Sequence, residues 1–548
     1  MFRSNDKLKD SEQSNIKYIL GLFVVFVCCE LLLNPIGDFP LNDDWFYAKA
    51  LKTIQFDSYI NNAHWGYASM LTHLFYGKLV TTIFGFSYNV LRMSTLILSF
   101  TGITFFYFLV KEYVGMLNKQ AFLATLIVMG NPLFLSLSNS YMTDVPFITF
   151  ILMAIYFYLK FKRSNKLKYY CLSVLLLIWA LLIRQLALAF IIGLFFSDII
   201  LEKKITVKNM LLITLSLLVL YLFERWLYIS NANTGYAYLF FRTSTTAGSI
   251  TVPEIGINFL KRWIHYVSFS GFVLFPILLT YLYHYIKQKL FFNTKKQFII
   301  SLILMIPVSW SLRKFPIGNY LYNYGIGPDT LYDTYILGIN SQHAHDLILF
   351  GIIRVLAFTG SFSLLLVLIQ FVFKVIHLRT THVTKHNVLL ILIISLFFYY
   401  SFLAIASPIF DRYIMIFSIL IIPIIFYIYN PPIKEKIIVS ILIVLLMLFS
   451  VFATKDYFNG HRTIWKIINE LKQTEGLTDT DINGGLEHCA SSFGDSAFWF
   501  KKWNNIPENK YVITRGKLIN YHVYKSYYYQ RYIPLKTDTI FVLAKNEK

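Results

Sequence analysis

The chain has 548 residues, of which 56% are hydrophobic, 18% aromatic and only 14% charged, with a formal net charge of +21. Apolar runs close to the ~20 residues needed to cross about 30 Å of hydrocarbon recur along most of its length, which excludes a soluble enzyme and makes the lipid bilayer the solvent. The positive charge does not point to nucleic acid, because the basic residues sit in short connections between apolar runs, as the positive-inside rule expects.

The basic connections are Lys7, Lys9 and Lys17, then Lys111 and Lys119, then 160–168, 202–208, 287–296, 374–386 and 434–436. Placing all of them in the cytoplasm predicts thirteen spans, near 16–34, 87–110, 120–137, 144–160, 168–184, 186–201, 209–228, 264–286, 297–312, 347–373, 387–406, 411–430 and 437–453. The N-terminus is then cytoplasmic and the C-terminus extracytoplasmic, in a multi-pass plasma (inner) membrane protein. The first span has no small-residue cleavage site, so it reads as a retained helix and not a signal peptide. Tyr67–Phe84 is apolar but would invert the charge bias if it crossed, so it reads as a juxtamembrane helix. The expected fold class is an all-α polytopic membrane domain, residues 1–454, with the loop 35–86 outside. A small α/β domain follows at 455–548, where HRTIWKIINELKQ has helical spacing and KYVITRGK and DTIFVLAK read as strands. Cys28, Cys29 and Cys171 lie in apolar runs and Cys489 has no evident mate, so no disulfide framework is expected.

Chemistry is expected where charge meets the predicted outer face. In FPLNDDWFYAKALK, Asp43 and Asp44 follow the first span; they suit a helix N-terminus capped by Asn42, and they equally suit catalysis. Asp144 starts the fourth span in SNSYMTDVPF, again on the outer side. Arg184, flanked by leucines at the junction of spans five and six, is costly there and calls for an anionic partner or a polar cavity. Arg412 starts span twelve beside Asp411, as an interfacial anchor or a ligand contact. His64 sits among aromatics in the first outer loop. Glu30 lies near the outer end of span one, within snorkelling reach. His343, His345 and Asp346 lack the spacing of a standard metal site and read as a solvated loop. There is no G-x-G-x-x-G or Walker A loop.

The order of these features resembles the integral-membrane glycosyltransferases of the C-type (GT-C) superfamily. More narrowly it is similar to family 39, the protein O-mannosyltransferases and lipid A aminoarabinose transferases. The family's D-E-x-x-Y falls on Asp43-Asp44-Trp45-Phe46-Tyr47, with Asp for the usual Glu. KLVTTIFGFSYNVLRMSTL, the NP…SNSYMTD segment and a span closing on a basic residue follow in the family's order. The resemblance implies that Asp43 is the catalytic base and Asp144 the second-loop acid, and that Arg184 stands where Lys is usual. His64 aligns with a basic residue before two prolines, here replaced by Trp65-Gly66. The resemblance covers about 35–190 well and Arg412–Tyr413 loosely, and it implies thirteen helices with an outer C-terminal domain.

An inverting transfer from a polyprenyl-phosphate-linked sugar donor to an acceptor hydroxyl or phosphate, on the outer face of the membrane, is the activity this implies. Asp43 would take the acceptor proton. Asp144, with Asp44 and Tyr47, would position hydroxyls. Arg184, helped by His64 or Arg412, would pair with the donor phosphate. No metal is assigned, although adjacent acids are able to hold a divalent ion. The acceptor would be a membrane-associated lipid, protein or glycan. The alternatives are a lipid-linked-sugar flippase or transporter, for which inverted repeats would be expected and none is found, and an envelope glycan polymerase or ligase.

Overall fold

The computed structural model describes residues 2–52, 70–230, 252–313, 315–316, 320–322, 325–327, 347–377, 385–405, 410–493, 509–516, 518 and 520–546. His64, His343, His345 and Asp346 lie outside the described residues.

Eighteen helices run through the described residues in this order: α1 Phe2–Leu33, α2 Asp44–Lys52, α3 Leu71–Phe84, α4 Tyr88–Glu112, α5 Asn118–Gly130, α6 Pro132–Ser138, α7 Asp144–Ser164, α8 Leu167–Ile183, α9 Ala187–Glu202, α10 Val207–Ser230, α11 Val252–Val273, α12 Phe275–Lys287, α13 Lys295–Leu312, α14 Leu347–His377, α15 Lys385–Ile405, α16 Met415–Ile428, α17 Ile433–Thr474 and α18 Leu486–Phe493. Each of the thirteen expected spans falls on one of these helices or on a bent pair. Among the described residues, eight helices are long and apolar enough to cross a membrane, or up to ten if each bent pair is one span; Leu167–Ile183 and Val207–Leu222 are shorter apolar helices. The protein is thus an integral membrane helical bundle.

The bends have local causes. Asn131 ends α5, and its side-chain oxygen accepts the N–H groups of Leu133 and Phe134 while Pro132 opens α6, so the pair turns by 67°. Pro276 in the first turn of α12 goes with a break of 87° from α11. Small residues let helices cross in backbone contact, as membrane packing favours. A methyl on Gly360 of α14 would stand 2.0 Å from the carbonyl oxygen of Gly271 in α11.

The polarity of the bundle can be read from α7. At its C-terminal end Lys162 pairs with Asp198 at 2.9 Å and with Glu202, which gathers the basic connections 160–168 and 202–208 there. Its N-terminal residue, Asp144, lies about 30 Å away at 1.5 Å per residue. Helix α3 is too short to cross. It is tied to the Asp144 end, because Met70 N–H donates to Ile183 O and Thr72 Oγ1 to Trp179 O, at the close of α8.

The sequence reading ends the last span at residue 453 and starts a separate helix at 461. The structure joins them: α17 runs unbroken for 42 residues, about 63 Å at 1.5 Å per residue, twice the hydrocarbon thickness. Asn459-Gly460 looks like a stop. Inside the helix, however, a methyl on Gly460 would lie at ordinary contact distance from Tyr529 and Arg515 of the C-terminal segment. Beyond the bundle, strands β3 Ile482–Asn483, β4 Tyr511–Thr514, β5 Tyr521–Tyr532 and β6 Leu535–Lys545 form a sheet; a two-residue ribbon, β1 Leu321–Tyr322 with β2 Gly325–Ile326, precedes it in the chain. The sheet order is β3-β4-β6-β5, with β3 and β4 parallel and the other pairs antiparallel. Ile464, Ile467, Ile468 and Leu471, one stripe of α17, pack against Ile482, Ile513, Ile540 and Val542. Two of these strands follow the sequence reading. The longest, β5, does not, because its run of tyrosines and charges lacks simple alternation.

Candidate active site

The Asp43–Asp44 turn is built by its own side chains. Asn42 takes a left-handed backbone, φ 53°, and its N–H donates to Glu487 Oε1 of α18 at 3.1 Å. Asp44, at the start of α2, is 1% exposed. Its Oδ1 accepts the Leu41 N–H at 2.6 Å and its Oδ2 the Tyr141 N–H at 3.4 Å. Both oxygens therefore hold backbone. Burial pushes the Asp44 carboxyl up to about 7, against the pull of Arg92 and these two donors.

A carboxyl whose folded pKa exceeds its unfolded ~3.9 stabilises the fold most when protonated. Its contribution is complete below about pH 4 and is lost as the pH rises through about 7. Asp44→Asn keeps an oxygen for Leu41 and cannot ionise. It is expected to flatten the fall in melting temperature between pH 4 and 7, measured on the purified protein in detergent.

Asp43 points the other way and keeps a side-chain exposure of 23%. Arg412 Nη1 and Nη2 donate to its Oδ2 at 3.3 and 3.4 Å. The second pair forms between helix ends. Arg184, at the close of α8, donates from Nη2 to Asp144 Oδ2 at 2.8 Å and from Nε to Thr143 Oγ1 at 2.8 Å. An acid in a first turn and a cation past a last turn each complement their helix dipole. The two pairs meet over one ring: the guanidinium carbons of Arg184 and Arg412 lie 5.1 and 5.7 Å from the centroid of Tyr413. Tyr47 is buried on the same side, and its hydroxyl feels Asp43, Arg412, Arg184 and Asp144. Burial first, then Asp43 and Asp144, push it up to about 12 against the pull of Arg412 and Arg184. Asp43, Tyr47, Asp144, Arg184 and Arg412 are thus brought together, whereas Asp44 sits behind them.

Other groups frame this cluster. Asp411 accepts N–H groups from Tyr320, Leu321 and Arg412, which fixes the turn that carries Arg412. Arg92, fully inside α4, donates to the carbonyls of Pro35, Gly37 and Phe39 at 2.7, 2.8 and 3.1 Å and so holds the chain leading to Asp43. Sequence reasoning passed over Arg92, although an arginine in the first turns of an apolar span is itself a signal. It also passed over Glu487, and it named Tyr413 only beside Arg412, with no role. Glu30 does not snorkel: it is 8% exposed and takes an Asn139 Nδ2 bond at 3.3 Å. His73 of α3 stacks on Tyr141 at 4.1 Å, and burial lowers it to about 3, so it is a neutral packing group. Among the described residues no group of three or more His, Cys, Asp or Glu could hold a metal ion.

Residues 71–229 match the sequence model of the family described as Dolichyl-phosphate-mannose-protein mannosyltransferase. No curated protein sequence matches the chain. Two crystal structures of ArnT from Cupriavidus metallidurans, one in the apo state and one bound to undecaprenyl phosphate, are similar at 11% identity. They cover 96% and 95% of this chain and 98% of theirs, with TM-scores of 0.40 and 0.38. The likeness to family 39 glycosyltransferases is therefore matched over residues 71–229, which hold the SNSYMTD segment and Arg184, while the Asp43–Tyr47 motif lies outside the matched stretch.

Proposed function

We propose that the chain is an inverting glycosyltransferase that moves a sugar from a polyprenyl-phosphate donor to an acceptor hydroxyl at the extracytoplasmic rim of the membrane. The observation that carries this reading is the pairing of two carboxylates with two arginines around Tyr413, at the bundle end opposite the basic connections. The family matched over residues 71–229 is described by a polyprenyl-phosphate sugar donor.

The chemistry needs a base, a place for the leaving phosphate and a dry wall for the prenyl chain. Asp43 takes the proton of the acceptor hydroxyl as its oxygen bonds to the anomeric carbon. The bond from that carbon to the phosphate oxygen breaks, and the electron pair leaves with the lipid phosphate. One displacement from the opposite face inverts the anomeric centre, by the geometry of single-displacement glycosidases. The planar forks of Arg412 and Arg184 suit phosphate oxygens, and Asp144 holds Arg184 in place. Tyr47 lines the same space. His64 remains in the proposal as a phosphate helper on the strength of the sequence alone.

Binding of undecaprenyl phosphate, the lipid a transfer would release, tests the reading. Purified protein is expected to melt at higher temperature as this lipid is titrated in, since a ligand that binds only the folded state stabilises it. Arg412→Ala should weaken the effect by about tenfold in affinity or more, because charge-assisted bonds are the strong ones. A response equal for the wild type and Arg412→Ala, or none in the wild type, would contradict it.

A further inference from the structure

The β5–β6 hairpin descends along α17 toward the bilayer. Asn459 Nδ2 donates to Gln530 O at 3.2 Å. One turn nearer the membrane, Asp456 accepts the N–H groups of Tyr532 and Ile533 at 2.7 and 2.8 Å. One turn further still, the Tyr532 ring stacks on Phe452 with centroids 5.4 Å apart. Phe452 lies in the last turn of the apolar run of α17, which gives way to Thr454-Lys455-Asp456. Lys455 marks the same level: its Nζ sits 5.0 Å over the Tyr532 ring and donates to Leu32 O, next to the end of α1, at 2.8 Å. Ile533, at the turn, packs on the transmembrane core.

What the tip leaves uncovered is apolar. Leu535, paired across the turn with Tyr532, is 76% exposed, and Tyr528, on the same face of β5, is 71% exposed. Leu31, Leu32 and Ile36, beside the α1 end that Lys455 grips, are also exposed. The exposed Leu31, Leu32 and Ile36 at the α1 end and the exposed Tyr528, Tyr532 and Leu535 at the hairpin tip are thus joined through Lys455, which touches Leu32 and Tyr532. Tyrosine rings with a neighbouring lysine are the side chains that settle at the headgroup level, and leucine belongs just below it.

We infer that the turn Tyr532–Leu535 is a lipid-docking element, which inserts Leu535 into the headgroup–acyl boundary of the phospholipid leaflet where α17 emerges, with Tyr528 among the headgroups. The occupant is the bilayer, because Lys455 ties the hairpin tip to the lipid-facing end of α1 and Tyr532 stacks on Phe452 at the close of the apolar run of α17. Docking there holds the sheet domain at a fixed height, so that α18 reaches Asn42 through Glu487. The inference does not rest on the proposed activity.

The test places the photocrosslinker p-benzoylphenylalanine at Leu535, or separately at Tyr524, in the full chain reconstituted into nanodiscs of phosphatidylethanolamine and phosphatidylglycerol. Tyr524 is exposed and bonds Glu475, about 30 Å further along α17 from Lys455. Irradiation and intact-mass analysis are expected to show a phospholipid adduct at 535 with about tenfold or greater yield than at 524, since only the former sits at the aromatic-belt level. Equal yields at the two positions, no lipid adduct at 535, or an adduct with a second copy of the chain would overturn the inference. Leu535 is exposed, so the label disturbs no packing.

Discussion

Asp43→Asn is expected to abolish transfer while leaving lipid-phosphate binding intact. Asparagine keeps an oxygen for Arg412 and fills the same space, so the pocket should stay assembled. What is lost is the only group among Asp43, Asp44 and Asp144 that is partly open to an incoming hydroxyl: Asp44 is spent on backbone N–H groups and Asp144 on Arg184. General-base catalysis is worth about 10²–10⁴-fold, so turnover should fall by at least two orders of magnitude. The melting shift with undecaprenyl phosphate should remain. A variant that loses both would mean that Asp43 holds the donor and does not act as the base.

The Asp144–Arg184 pair carries the other large effect. Both side chains are buried, at 3% and 8% exposure. Removing one leaves an uncompensated charge in a poorly hydrated place. Asp144→Ala or Arg184→Ala should each therefore cost about 3–5 kcal/mol of stability. Replacing both by apolar residues, as in Asp144→Leu with Arg184→Met, should recover most of that loss, because a buried pair is seldom more stable than a well-packed hydrophobic one. It should not recover transfer. Thermal melting in detergent reads the first quantity, and the level of modified envelope glycan in complemented cells reads the second. Recovery of both would assign the pair to folding alone.

Much of this was visible in the residues. Spans are legible because hydrocarbon demands long apolar runs and the lysines mark one side. Asp43, Asp144, Arg184 and Arg412 stand out because each is a charge at a span end, where its presence needs a reason. The division of labour between Asp43 and Asp44 was not legible. Adjacent acids look alike in sequence, and only the left-handed turn at Asn42 decides which one faces inward to Leu41 and Tyr141 and which meets Arg412. Arg92 was hidden because its partners are backbone carbonyls more than fifty residues away, which leave no charge pattern. Glu487 contacts Asn42 across 445 positions, a separation at which a single sequence carries no pairing signal. The unbroken α17 was missed for a different reason: the apolar run ends before Thr454-Lys455-Asp456, and hydropathy marks where a helix leaves hydrocarbon, not where the helix stops.

The reach of α18 to Asn42 links the C-terminal segment to the site. The Glu487 carboxylate accepts the backbone N–H just before Asp43. The hairpin on α17, the contact at Asn42 and the bonds from Lys455 and Arg462 to the carbonyls of Leu32, Asn34 and Ile36 tie the C-terminal segment to the bundle.

The most direct measurement is mass spectrometry of envelope glycolipids and glycoproteins from cells in which the gene is deleted, compared with the same cells carrying the wild-type gene or Asp43→Asn. The account predicts one sugar increment that is absent after deletion, returns with the wild type and stays absent with Asp43→Asn. An envelope unchanged by deletion, or fully restored by Asp43→Asn, would contradict it and favour a carrier of lipid-linked sugars over a transferase.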